Sequence, residues 1–205
     1  ASIDIHNNTG LNPHYACVNR LEQDFLHLAV LFSRIVVYFI RPRGVQSAAF
    51  AELCPAVTVE CGKPGTPGGV EHAAAFMEAC LHLSEFPAHP LPPHDVDLFH
   101  TVATVKVPQQ LSFGFGAPDA DIDFVPELDH YNFRELAHGD AWGRVRQGRL
   151  LALDETGTDI GDRLFDYRKN EITLRRPLMP AMLTRDERVI RQDCLCYLME
   201  RIAYP

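Results

Sequence analysis

The chain has 205 residues, of which 46% are hydrophobic and 22% are charged, and its formal net charge at pH 7 is -8. These values are ordinary for a globular protein and allow one large or two small hydrophobic cores. A net negative charge without clustered lysine and arginine argues against a partner that is nucleic acid, because phosphate contacts need such clusters.

The distribution of cysteine and apolar residues indicates a cellular compartment. The chain contains 6 cysteines and no C-x-x-C pair, which is typical of a reduced, intracellular protein and not of a disulfide framework. No apolar run reaches the ~18 residues that a membrane span needs, and no signal peptide opens the chain. The sequence therefore predicts a cytoplasmic protein without a membrane partner.

The first part of the chain alternates predicted strands with predicted helices. Apolar spacings of three and four residues indicate the helices, and continuous β-branched runs indicate strands buried on both faces. In chain order these are a strand at 2–5, a helix at 21–32, a strand at 35–40, a helix at 46–53, a strand at 56–59 and a helix at 70–83. This alternation predicts an α/β layer with a mostly parallel sheet.

The second part of the chain has a different pattern, and a proline-rich stretch at 87–94 separates the two. Such a proline density predicts a stiff linker. Short apolar runs beyond it are divided by Gly, Pro and Asp, which predicts strands and turns. We therefore expect an α/β domain at 1–86, a linker at 87–94 and a smaller, mostly β domain at 95–205.

The C-terminal tail allows two interpretations. Thr184 and Glu187 form a Thr-x-x-Glu capping box, which predicts a helix over 185–202. Cys194 and Cys196 alternate with apolar neighbours, so a final strand is the alternative.

Two polar residues end predicted strands. His6 follows the strand at 2–5 and has Asp4 two residues before it, which is the composition of a zinc ligand with an orienting carboxylate. Glu60 closes the strand at 56–59, where a carboxylate is costly unless it faces a cleft. The two strands are therefore predicted to bring a histidine and a glutamate to the same edge of one sheet.

Each of these residues also has a simpler interpretation. His6 could be a loop histidine that is bonded to Asp4 and has no other role. Glu60 could be a strand end that forms an ion pair with Lys63. Asn7 and Asn8, which follow His6, offer amide groups that would help to hold a substrate.

The residues around His6 and Glu60 resemble a known family. Asp-Ile-His-Asn-Asn-Thr-Gly at 4–10 and Val-Thr-Val-Glu-Cys-Gly-Lys-Pro-Gly at 57–65 resemble two motifs of the succinylglutamate desuccinylase/aspartoacylase family. The members of this family are zinc-dependent amidohydrolases related to the zinc carboxypeptidases. The resemblance implies a carboxypeptidase-like α/β layer, present in part, up to about residue 86.

The resemblance also implies roles for individual residues. His6 would be the third zinc ligand, and Glu60 would be the general base that activates a water molecule. The family holds the substrate carboxylate with an arginine, for which Arg41 and Arg43 are the candidates because a guanidinium binds a carboxylate bidentately. A solvated strand end is the simpler explanation of these two arginines.

The remaining two zinc ligands of the family come from a His-x-x-Glu motif upstream of the third ligand. No such motif precedes His6, so the resemblance implies that the N-terminal part of the domain is missing from this chain.

The function expected from the sequence is zinc-dependent hydrolysis of the amide bond of an N-acyl amino acid or a similar small acylated amine. A metallocarboxypeptidase that acts on short peptides is one alternative, and a non-catalytic binding module that has lost its metal is another. The expected partner is a small molecule, and assembly as a homo-oligomer is left open.

Overall fold

The structure is a computed structural model that describes residues 1–204. Its helices are α1 Gln23–Val30, α2 Gln46–Phe50, α3 Gly69–His82, α4 Gly161–Leu164 and α5 Glu187–Gln192. Its strands are β1 Ser2–His6, β2 Tyr15–Val18, β3 Ile35–Tyr38, β4 Ala56–Glu60, β5 Asp97–Lys106, β6 Phe113–Phe115, β7 Ile122–Phe124, β8 Ala141–Val145, β9 Leu151–Leu153, β10 Phe165–Asp166, β11 Glu171–Leu174, β12 Met179–Ala181 and β13 Cys196–Arg201. No helix within residues 1–204 has the length and apolar character needed to cross a membrane.

The chain forms two compact units. The first contains Ala1–Asn8, Pro13–Thr101 and residues 201–204, and the second contains Thr9–Asn12 and Val102–Glu200. The predicted linker at 87–94 lies inside the first unit and includes a 3-10 helix at Pro93–Asp95. One passage between the units, from Thr101 to Val102, falls within the continuous strand β5 and not at the proline-rich stretch.

The first unit is built on a sheet in which β1, β4, β2, β3 and β5 are neighbours in that order. β1 and β4 are parallel to each other, and β2, β3 and β5 are parallel to one another, but β2 runs antiparallel to β4. The predicted α/β class with a mostly parallel sheet is confirmed, and the change of direction between β4 and β2 is the exception. Every residue of β4 is buried, which explains its uninterrupted β-branched sequence.

The strand β2 was not predicted from the sequence. Its four residues are Tyr-Ala-Cys-Val, too short a run to stand out beside the polar stretch that precedes it. Its position between β4 and β3 nevertheless determines which loops share an edge of the sheet.

The second unit is mostly β. One sheet has the order β10-β11-β8-β7-β6, and two further antiparallel pairs join β12 to β13 and β9 to β5. Its core contains fully buried aromatic rings, among them Trp142, Phe124 and Phe165.

The predicted long helix at 185–202 is wrong, and the alternative of a final strand is confirmed. Asp186 caps α5, since its side chain accepts hydrogen bonds from the backbone N–H groups of Arg188 and Val189. The helix ends at Gln192, and β13 follows with its cysteine buried. The cap therefore starts a short helix, and the buried residues of the tail form a strand.

Candidate functional site

The candidate site lies at the edge of the first sheet where β1 and β4 end. The two strands are parallel neighbours, and His6 is the register partner of Glu60. The predicted meeting of these two residues at one sheet edge is therefore confirmed. Tyr15, the first residue of β2, pairs with Glu60 on the other side, so the three side chains form one cross-strand row.

Glu60 is a buried carboxylate, with 6% of the residue exposed. One of its oxygens, Oε2, accepts a hydrogen bond of 3.0 Å from Nδ2 of Asn8. Burial raises the pKa of Glu60, while the hydrogen bond from Asn8 and the proximity of His6 lower it, and the neighbouring Asp4 raises it further. The net direction is upward, as expected when loss of water outweighs the polar contacts.

His6 is the more accessible of the two, since 49% of its side chain is exposed. Its Nε2 lies 3.1 Å from Oδ1 of Asp4. Asp4 and His6 are two residues apart on β1, so their side chains project from the same face of the sheet. A carboxylate in this position fixes the orientation of the imidazole ring. The simpler interpretation of His6, a contact with Asp4, is thus present together with its position beside Glu60.

The two asparagines connect the loops that follow β1 and β4. Nδ2 of Asn7 donates to the carbonyl oxygen of Gly62 at 3.3 Å, and the backbone N–H of Asn8 donates to the same oxygen at 3.1 Å. Since the Nδ2 of Asn8 is engaged by Glu60, these donors hold the protein's own groups. Asn7 and Asn8 thus hold the loop after β4 and the carboxylate of Glu60, and their contact with a substrate stays a prediction.

Arg41 and Arg43 lie away from the Glu60 edge, and their contact with a substrate carboxylate stays a prediction. Both belong to the exposed loop that follows β3. Because β3 runs parallel to β2, and β2 runs antiparallel to β4, the end of β3 lies at the sheet edge opposite to that of Glu60. This reversal of direction could not be predicted, since it depends on the unpredicted strand β2.

Two histidines outside the predicted site, His14 and His72, lie near the Glu60 edge. The rings of His14 and His72 are 4.7 Å apart between centroids, and Nε2 of His72 is 2.7 Å from the carbonyl oxygen of Phe32. Burial and the proximity of His72 lower the pKa of His14, while a hydrogen bond to the backbone of Cys61 raises it. Their spacing along the chain gave no signal, because α3 brings His72 to the start of β2 through tertiary packing.

A catalytic zinc ion takes three protein ligands and an open position. Within residues 1–204, no three His, Cys, Asp or Glu side chains are grouped so that they could hold a metal ion. His6 has Asp4 and Glu60 beside it, but Asp4 bonds its ring and Glu60 bonds Asn8. The described residues therefore do not fit a complete zinc site, and we assign no chemical step to zinc.

Comparison with known proteins identifies the fold. No protein-family model matches the sequence, and no curated protein gives a significant match. Solved structures do match: murine aminoacylase 3 has 14% identity and a TM-score of 0.56, with 98% of this chain and 62% of that chain covered. Succinylglutamate desuccinylase from Vibrio parahaemolyticus has 14% identity and a TM-score of 0.56, with coverages of 98% and 53%. Succinylglutamate desuccinylase/aspartoacylase from Rhodobacter sphaeroides has 16% identity and a TM-score of 0.57, with coverages of 98% and 57%.

These similarities extend over nearly the whole of this chain, which spans between 53% and 62% of the length of the three structures. At such low identities they establish a shared fold. The fold implied by the two sequence motifs is thereby confirmed.

Proposed function

We propose, from the fold shared with an aminoacylase and with succinylglutamate desuccinylases, that the protein is a deacylase of the same family. It would hydrolyse the amide bond of an N-acyl amino acid or a similar small acylated amine. The observation that carries the proposal is the pairing of His6 with a buried Glu60 at one sheet edge. The two motifs that contain these residues support the same conclusion.

Glu60 would be the general base. Its carboxylate takes a proton from a water molecule as the water oxygen adds to the amide carbonyl carbon. The same carboxyl group then gives the proton to the nitrogen as the carbon–nitrogen bond breaks, so an amine and a carboxylic acid are released, and the acid then ionises in water. A raised pKa suits this shuttle, because a base whose pKa approaches the working pH accepts and returns a proton readily.

Asn8 would position this base. Its Nδ2 donates to Oε2 of Glu60, which holds the carboxylate in one orientation and leaves the second oxygen for the water molecule. Asn7 and the backbone of Asn8 keep the two loops together through Gly62. These contacts are made before substrate arrives, so the site is preorganised.

We also propose zinc as the cofactor, because the two motifs resemble those of a zinc-dependent family, and His6 would be one ligand. Because the described residues do not complete such a site, the mechanism above is confined to Glu60 and its neighbours. We propose a small-molecule substrate on the same basis as the deacylase activity, and a cytoplasmic location on the basis of six cysteines without a C-x-x-C pair.

The proposal can be tested by incubating the purified protein with a panel of N-acyl amino acids and measuring release of the free amine. Glu60→Gln should lower kcat by at least ~100-fold, since general base catalysis contributes about that much. Glu71→Gln is the matched control, because Glu71 is exposed on α3 and the change is chemically the same. Near-normal turnover by Glu60→Gln would remove this residue from the mechanism.

The same panel separates the alternatives. Release of C-terminal residues from short peptides, without hydrolysis of N-acyl amino acids, would indicate a carboxypeptidase. Saturable binding of an N-acyl amino acid without turnover would indicate a binding module.

A further inference from the structure

A second candidate site is present in the second unit, on the five-stranded sheet. A cavity of about 400 Å³ has Arg144, Arg146 and Lys169 in its wall. A volume of this size matches the sites that hold small molecules. None of these residues takes part in the proposed deacylase chemistry.

The three cations reach the cavity because of strand geometry. Along β8 and the residue after it, Gly143 and Val145 are buried while Arg144 and Arg146 are exposed, so both guanidinium groups project from the outer face of the sheet. β11 pairs with β8, and Lys169 lies in the short turn that leads into β11. The turn therefore brings an ammonium group beside the two arginines.

The charges of the cavity are only partly balanced. Asp123 and Glu171 are the register partners of Arg144 on either side and also line the cavity. Asp123 accepts a hydrogen bond of 2.6 Å from the backbone N–H of Ala117. Within the lining, three cations thus face two carboxylates, and Arg146 also interacts electrostatically with Asp121, which lies outside the lining.

The cations of this cavity differ from those next to it. Arg168 and Arg175 lie 3.0 Å and 3.5 Å from the carboxylate of Asp166. Among residues 1–204, by contrast, no carboxylate lies within 4.0 Å of the charged nitrogens of Arg144, Arg146 or Lys169. Arg146 instead donates to the backbone carbonyl of Asp119.

The backbone conformation of Lys169 is a separate observation that favours a ligand-binding role for this residue. Lys169 has φ 54° and ψ 31°, and Asn170 has φ 62°, so two successive residues adopt the left-handed conformation. Glycine or asparagine accepts this conformation at little cost, whereas lysine is uncommon there. Strained residues of this kind are concentrated at ligand sites.

We infer that Arg144, Arg146 and Lys169 form a binding site for the phosphate group of a small phosphorylated molecule. Two guanidinium groups and one ammonium group match a tetrahedral oxyanion that carries close to two negative charges. The cavity volume beyond the phosphate accommodates the rest of the molecule.

The site can be tested by nuclear magnetic resonance on the full chain. Inorganic phosphate is added while sodium chloride keeps the ionic strength constant. The chemical shifts of four backbone amides should change saturably, with a Kd of about 1 mM or below. These are the amides of Arg144, Arg146, Lys169 and Asn170. Phenyl phosphate should bind more tightly than inorganic phosphate, and succinate should bind more weakly. Absence of saturable shifts up to about 20 mM phosphate, or tighter binding of succinate, would overturn the inference.

Substitutions give a second test, because one of them is expected to weaken phosphate binding while it raises Tm. The double change Arg144→Ala with Arg146→Ala should weaken phosphate binding at least ~10-fold, since two charge-assisted contacts are lost. Lys169→Asn should weaken binding several-fold and raise Tm, because asparagine tolerates the left-handed conformation. Arg188→Ala, which removes an exposed arginine of α5 outside the cavity, should leave binding unchanged. Unchanged binding in Lys169→Asn would exclude this lysine from the site and so overturn the inference.

Discussion

The surroundings of Glu60 act in opposite directions on its charged form: burial destabilises the carboxylate, and a hydrogen bond stabilises it. Glu60 is nine-tenths buried, and burial of a charged carboxylate costs free energy that its single hydrogen bond from Asn8 offsets only in part. Its raised pKa is the measurable sign of this cost. A residue of this kind is expected to decrease stability while it serves function.

The first prediction concerns the pH dependence of stability. Since the pKa of Glu60 in the folded state lies above its unfolded value, the stabilising contribution of the carboxyl group is present below the unfolded pKa and is lost as pH rises through the folded pKa. Glu60→Gln cannot ionise and should therefore have a higher free energy of unfolding at about pH 8, by on the order of 1 kcal/mol, and a similar one at about pH 4. Thermal unfolding of both proteins at the two pH values measures this difference. A stability gain of equal size at both pH values would contradict a titration of Glu60.

The second prediction concerns the hydrogen bond from Asn8. Asn8→Ala removes the donor that lowers the pKa of Glu60, so this pKa should rise further. The acidic limb of the pH profile of kcat/KM should then move to higher pH, while Asn7→Ala leaves it in place because Asn7 does not contact the carboxylate in the described structure. Carboxyl carbon chemical shifts of Glu60 provide a readout that does not depend on activity.

At the scale of whole elements, β8 depends on a glycine. Gly143 has φ 153°, and a Cβ at this position would lie 2.2 Å from the carbonyl oxygen of Asp123 and 2.7 Å from Cα of Phe124. The pairing of β11 with β8 shifts register beside it, so the strand is irregular at this point. The backbone of β7 therefore approaches β8 too closely for any side chain.

The third prediction follows from this contact. Gly143→Ala should lower the free energy of unfolding by about 2–4 kcal/mol, because either β7 or β8 must move. Gly139→Ala serves as the control. The φ of Gly139 is 90°, and nothing lies within 4 Å of the added Cβ. Its loss of unfolding free energy should therefore come from the backbone conformation alone and be about 1–2 kcal/mol. Denaturant unfolding of the two variants measures both values. Equal losses would show that the close approach to Asp123 is relieved without cost.

Some strands of the protein could be predicted from the sequence, and others could not. The strands that end at His6 and Glu60 were predictable, since each is an apolar run closed by a polar residue, and parallel neighbours bring such ends together. The position of Arg41 and Arg43 at the opposite edge from Glu60 was not predictable, and the reason is physical. Strand direction is set by pairing between distant segments, and β2 is too short to be recognised from its own residues. Proximity of His14 to His72 likewise arises from packing and has no local pattern.

At the scale of the molecule, each unit has its own hydrophobic core, and one strand contributes to both. Leu98, near the start of β5, belongs to the core of the first unit, and Val105, near its end, belongs to the core of the second. A strand that passes through two cores makes independent unfolding of either core costly. We therefore expect the cores to unfold together.

The fourth prediction uses Trp142 as a local reporter. It is the single tryptophan of the chain and is fully buried in the core of the second unit. If unfolding is cooperative, urea transitions followed by tryptophan fluorescence and by far-ultraviolet circular dichroism should coincide. A fluorescence midpoint separated from the dichroism midpoint would show that the second core unfolds independently.

The change of strand direction between β4 and β2 also has a practical consequence for work with this protein. The loop at 41–44 is exposed and leaves the sheet at the edge opposite to Glu60. A peptide tag inserted there, or a linker attached there, would tether the protein to a support at the end of the sheet that lies away from Glu60. The arginines that the sequence offered for substrate binding thus mark a site for immobilisation that spares the proposed chemistry.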